Sequence, residues 1–116
     1  MYSVTEEFID WLAGVTGLHV STFPPETGAE FVTVERTGGG VDSFADHPLM
    51  AVQAWAQTEA RAEAIASVIR DAALIGPWPH GVTALRVNAG PYRWYDESTR
   101  LPRYQVVFDA TCISIE

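Results

Sequence analysis

Leu49-Met50-Ala51-Val52-Gln53-Ala54-Trp55-Ala56-Gln57-Thr58-Glu59 passes from a strand pattern straight into a helix start. Residues 49–56 are apolar at nearly every position, contain no glycine or proline and follow Pro48, which predicts a mostly buried strand. Thr58 then offers a hydroxyl to the orphan amides of a helix, and Glu59 falls where its charge suits the first turn. Ala62, Ile65, Ala66, Ile69, Ala72 and Ala73 recur at spacings of three and four and make one apolar stripe. Arg61, Glu63, Ser67, Arg70 and Asp71 fall mostly on the other faces, and Gly76, Pro77 and Pro79 stop the helix. A stripe so rich in alanine is shallow, so this helix is built to lie close against a sheet.

Working outward, residues 2–13 predict a first helix, with Val4, Phe8, Trp11 and Leu12 on one side and Gly14 and Gly17 closing it. Residues 18–23 predict a short strand that stops at Pro24-Pro25, and residues 30–36 a stronger one with Val32 and Val34 on one face and Phe31 on the other. Residues 37–48 read as a flexible glycine-rich loop. Residues 82–89 form a fourth strand before the turn pair Gly90-Pro91, and a long connection, residues 92–102, leads to a last strand at 104–115. Alternation in that strand places Tyr104, Val106, Phe108, Ala110 and Cys112 together, opposite Gln105, Asp109 and Thr111.

The order is helix, three strands, helix, two strands. It predicts a single α+β domain over residues 1–116: a mixed, mostly antiparallel sheet of about five strands with two helices packed on one face. A helical crossover makes the third and fourth strands parallel, and the last strand then fits between them, antiparallel to each.

Composition narrows the function. A net charge of −8 argues against gripping nucleic-acid phosphates, which requires a basic footprint. All seven basic residues are arginine, so a P-loop lysine and Schiff-base chemistry are excluded. Cys112 alone permits no internal disulfide and no cysteine zinc cluster, and its apolar strand predicts a buried thiol. The acidic start lacks the basic region of a signal peptide, and no apolar run approaches the roughly 20 residues of a membrane span, so a cytosolic compartment and no membrane partner are expected.

The chemical candidates are sparse. Asp42, Asp46 and His47 offer oxygen and imidazole ligands to a metal, but they read better as local turn-formers in a solvated loop. His19 and His80 have no triad-like neighbour, and Gly38-Gly39-Gly40 lacks the spacing of a phosphate or dinucleotide loop. The expectation is no catalytic residue, no cofactor and no metal.

The connecting segments carry a different signal. Residues 92–103 mix the aromatics Tyr92, Trp94 and Tyr95 with Arg93, Arg100 and Arg103, the residue types that dominate interface hot spots. Phe44 is an apolar side chain in a segment otherwise suited to water, next to Asp42. Asp42, Phe44, Arg93, Trp94, Tyr95, Arg100 and Arg103 are therefore the candidate protein-interface residues. The competing reading is a lid, with Trp94 and Tyr95 folded back over one end of the core.

The series Val34-Glu35-Arg36-x-Gly38-Gly39, Asp42, Val52-x-x-Trp55-Ala56-x-Thr58, Gly90-Pro91, Asp96 and Pro102-Arg103-Tyr104 resembles tail terminator proteins of long, non-contractile-tailed phages. These lambda gene U-like proteins are also called tail completion or head-tail connector proteins, and the likeness spans residues 30–109. The resemblance implies a structural virion protein, assembled in the host cytoplasm, that forms a homo-oligomeric ring, typically a hexamer. The ring caps the tail tube protein, ends polymerisation and joins the head-tail connector protein. DNA passes through its lumen without sequence-specific binding, which suits an acidic chain. Another neck or tail tube subunit is the nearest alternative, and a small ligand-binding or hydrolytic cytosolic domain is the alternative from a different class.

Overall fold

The computed structural model describes residues 2–42, 44–94 and 101–113. Its elements are α1 (Val4–Thr16), β1 (Val20–Ser21), β2 (Phe31–Val41), β3 (Ala45–Trp55), α2 (Glu59–Ile75), β4 (Val82–Arg93) and β5 (Arg103–Ile113). They make an α+β fold around one mixed five-stranded sheet of order β1-β2-β3-β5-β4. β1 pairs parallel to β2, and every other pairing is antiparallel. β5 lies between β3 and β4 and opposes both, so β3 and β4 run the same way with α2 as their crossover, as the order of elements predicts.

The period of two along each strand sorts the side chains. Val32, Val34, Met50, Val52, Ala54, Val106, Phe108, Ala110 and Cys112 join Phe8 and Leu12 of α1 and Ile65 and Ile69 of α2 in one hydrophobic core. Both helices therefore cover the same sheet face. Phe8 and Trp11 pack their rings against Phe108, and each large apolar side chain buried this way contributes about 1.5–3 kcal/mol. Burial also pushes the Cys112 thiol above its ordinary range, as expected of an inert core cysteine.

The helix ends follow their capping chemistry. Thr58 Oγ1 accepts the Arg61 N–H at 3.2 Å, and the Gly76 N–H donates to the Ala72 carbonyl at 2.8 Å. Trp78 Nε1 donates to the Ala73 carbonyl and Trp11 Nε1 to the Pro77 carbonyl, both at 2.9 Å, tying the end of α2 to α1. α1 starts two residues later than the spacing predicts, because Ser3 caps it. It continues through Gly14 to Thr16, whose hydroxyl donates to the Leu12 carbonyl at 2.8 Å before Gly17 terminates the helix.

Two segments expected to be loops are strands. Residues 37–41 and 45–48 extend β2 and β3 into one long hairpin, with Gly39 opposite Pro48 and Gly40 opposite His47. Gly39 holds φ at +93°, and a Cβ there would collide with the His47 carbonyl. The glycine thus serves close strand approach, not a hinge. Arg36 clips the hairpin by binding both Asp46 oxygens at 2.7 Å and the Gly38 carbonyl at 3.0 Å. β4 likewise runs past Gly90-Pro91 to Arg93, because Gly90 leaves room for the Gln105 carbonyl and register shifts flank the proline on an edge strand. β1 is shorter than predicted: Ser21 Oγ donates to the Phe23 carbonyl at 2.6 Å, and Pro24 and Pro25 have no N–H to continue a ladder.

Candidate protein interface

Sequence-predicted interface residues fall at opposite ends of the sheet. Ala45 pairs with Ile113 at one end, whereas Trp55 pairs with Arg103 and Arg93 with Tyr104 at the other. The molecule measures 43 Å along its longest axis, so Phe44 and Trp94 cannot share a patch on one subunit.

At the hairpin end, Asp42 organises the turn. Its Oδ1 accepts the N–H groups of Phe44 and Ala45 at 2.8 Å, and its Oδ2 lies 3.0 Å from His47 Nε2. The Phe44 amide, His47 and the Ala45 amide together draw the Asp42 pKa from 3.8 down to about 2. Phe44 is thereby presented to solvent, 85% exposed, near the exposed Val41 and Ile113. Asp46 is engaged by Arg36, so the sequence triplet of Asp42, Asp46 and His47 divides into two separate pairs. Exposed Leu74 and Ile75 close α2, which runs back from the far end of β3 toward this one.

At the far end, three residues in register, Phe31, Trp55 and Arg103, stack across β2, β3 and β5. The Phe31 and Trp55 ring centres lie 5.3 Å apart, and the Arg103 guanidinium carbon sits 4.6 Å from the Trp55 ring and 6.0 Å from that of Trp94. Tyr92 meets Trp94 edge-on at 6.2 Å. Arg93 turns away to Glu59 on α2, 3.3 Å distant. The structure therefore brings Trp94 and Arg103 together and leaves Arg93 beside the helix. Tyr95 and Arg100 lie outside the described residues.

Sequence reasoning missed the row of polar groups beside this stack. Trp55 Nε1 donates to Thr33 Oγ1 at 3.0 Å, and Thr33 donates to Gln53 Oε1 at 2.7 Å. Gln53 Nε2 donates to Gln105 Oε1 and Gln105 Nε2 to the Tyr92 hydroxyl, both at 2.6 Å. Each bond points the same way along a chain that crosses four strands. Thr33, Gln53 and Gln105 are buried although they face away from the helices. They floor an open cleft of about 290 Å³ walled by Phe23, Pro24, Glu35, Trp94 and Arg103. The available signal was Gln53, the lone amide in an apolar strand, since a buried amide requires a partner across the ladder.

Among the described residues, Arg36, Arg61, Arg70, Arg86 and Arg93 lie within 4 Å of a carboxylate of the same chain. Their charge is locally neutralised, which adds little stability at an exposed surface but leaves little net positive field. Among the described residues no helix is long and apolar enough to cross a membrane. No protein-family model matches this chain, and no curated protein matches it.

Proposed function

We propose that this protein is a tail terminator: a subunit that assembles into a ring on the end of a phage tail tube, stops tube growth and offers its other side to the head connector. The observation carrying this reading is the separation of two unlike exposed side chains, Phe44 at the hairpin tip and Trp94, beside the half-buried Arg103, at the opposite end of the sheet. A ring requires two different patches on each subunit, because a heterologous contact closes only when one patch meets the other on its neighbour. The rigid hairpin and the stacked far end supply them.

Electrostatics supports the same role. A chain of net charge −8, with Arg36, Arg61, Arg70, Arg86 and Arg93 paired to carboxylates, does not hold phosphates as DNA slides past. The sequence resemblance over residues 30–109 supports it independently. The direct test of the ring is solution mass against protein concentration, with purified tube ends added as a template. The expected result is a discrete closed oligomer, typically six-fold, at high concentration or on tube ends. A strict monomer under both conditions would overturn the proposal.

A further inference from the structure

The sheet has two open edges, and their open stretches match. Among the described residues, β1 covers β2 only at Val32 and Thr33, and β4 has no neighbour beyond β5. Among those residues, no backbone hydrogen bond reaches the outer side of residues 36–41 or 84–87. Three antiparallel steps separate β2 from β4, so the two strands run in opposite directions. Through Met50 and Phe108, Arg36 stands level with Val87; through Asp46 and Cys112, Val41 stands level with Val82. On the β2 side, Gly38, Gly39, Gly40 and Val41 present none of the charges or prolines that guard an edge. The Asp42 N–H donates to the Ala45 carbonyl at 2.9 Å, so alternation turns the backbone groups of Gly39 and Val41 outward. The Gly39 carbonyl keeps a lone pair beside its 3.5 Å contact with Arg36.

We propose that β4 of one copy adds to the open edge of β2 in the next, residues 82–87 along residues 36–41, as an antiparallel strand. This contact deepens the ring reading above and rests on it, and its β2 half belongs to the hairpin. Three observations select a second copy of the chain as occupant. A ring axis along the strands preserves their direction, so β4 meets the neighbouring β2 antiparallel and each contact leaves one fewer open edge. The edge profiles also fit: β4 leaves its regular ladder between Ala89 and Tyr92, at the height where Ser21 covers Thr33 on the other edge. Charge agrees as well. Arg86, beside Asp109, and the exposed Glu35 share the sheet face away from the helices. In the joined sheet they are diagonal neighbours, and the Arg86 side chain, 80% exposed, has donors to spare beyond its 3.4 Å contact with Asp109. Pairing β4 with β4, or β2 with β2, gives no such contact.

The test is disulfide trapping. Gly40 and Ala84 are exposed, stand in one row through His47 and Thr111, and Gly40 has open space for a Cβ. Across the joined edge they lie opposite each other, about 4.5–5.5 Å between Cα atoms, within the span of a disulfide. Within one chain they stand three strand spacings apart, roughly 14 Å, too far to bridge. The double variant Gly40→Cys with Ala84→Cys, oxidised at high concentration and on tube ends, should give a ladder of cross-linked species up to the closed ring on non-reducing gels. Each single variant should stay uncross-linked, and an equimolar mixture of the two should stop at the dimer. Cys112 is buried, the natural protein is the oxidation control, and circular dichroism verifies each fold. Dimers from either single variant alone mean that like edges pair, and they overturn the contact, as does a folded double variant that gives no ladder. If tube ends are capped without the ladder, the contact fails and the terminator reading stands. If the ladder forms but tube ends are never capped, the contact stands and the terminator reading fails. A natural protein that stays monomeric at all concentrations and on tube ends removes both.

Discussion

Gln53 donates an amide hydrogen to Gln105 at 2.6 Å, from β3 to β5, on the sheet face opposite the two helices. This bond is the centre of the row that ties Trp55, Thr33 and Tyr92 together. Removing Gln53 leaves its two buried partners, Thr33 and Gln105, each short of a bond, which costs more than one bond itself contributes.

Gln53→Ala should therefore lower unfolding stability by about 1–3 kcal/mol, and combining it with Gln105→Ala should cost less than the sum. Urea denaturation of the two single variants and the double variant checks this. Strict additivity would show that the amides act independently.

Ile65→Ala should cost about 2–5 kcal/mol, because Ile65 is buried between α2 and the sheet. Leu74→Ala, on the exposed side of the same helix, should stay within about 0.5 kcal/mol. Thermal unfolding of the pair compares the two faces directly. Equal losses would mean that the stripe does not define the packed side.

Gly39 and Gly40 are neighbours in sequence with different roles. Gly39→Ala should lose roughly 1–3 kcal/mol, since it combines φ of +93° with a Cβ aimed at the His47 carbonyl. Gly40→Ala meets open space and should be neutral or stabilising by up to about 1 kcal/mol. Equal effects in a denaturation series would contradict the tight hairpin.

Asp42 gives the tip a pH dependence of definite sign. Its carboxyl titrates at about 2 in the folded chain, below the ordinary 3.8, so its contribution is complete above the ordinary value and is lost as pH falls toward 2. The difference in melting temperature between the natural protein and Asp42→Asn should shrink as pH falls through this window. A difference that grows on acidification would show that the carboxylate strains the turn.

The alternation of Val106, Phe108 and Ala110, and the stripe of Ile65 and Ile69, made the helix-covered side of the fold legible, because burial there depends on local periodicity. The central place of β5 followed from the helical crossover between β3 and β4. The hairpin did not, since Gly38-Gly39-Gly40 reads as a loop until His47 is seen to press against Gly39 from the opposite strand. Gly90-Pro91 misled for the same reason, with the Gln105 carbonyl as the hidden neighbour. Phe44, Trp94 and Arg103 stood out as interface candidates by residue type alone. Phe23 and the amide row did not, because Gln53 finds its partner 52 residues away and only the strand register joins them.

The central claim is that this chain ends a tube, and tube length is the quantity that reports it. Purified tail tube protein from the same genome would be polymerised with and without this protein, and the tubes measured and their ends imaged by electron microscopy. The account predicts that added protein forms a ring on tube ends and arrests elongation, while Phe44→Ala leaves tubes of uncontrolled length. Tubes that keep growing, with ends that never bind the natural protein, would contradict it.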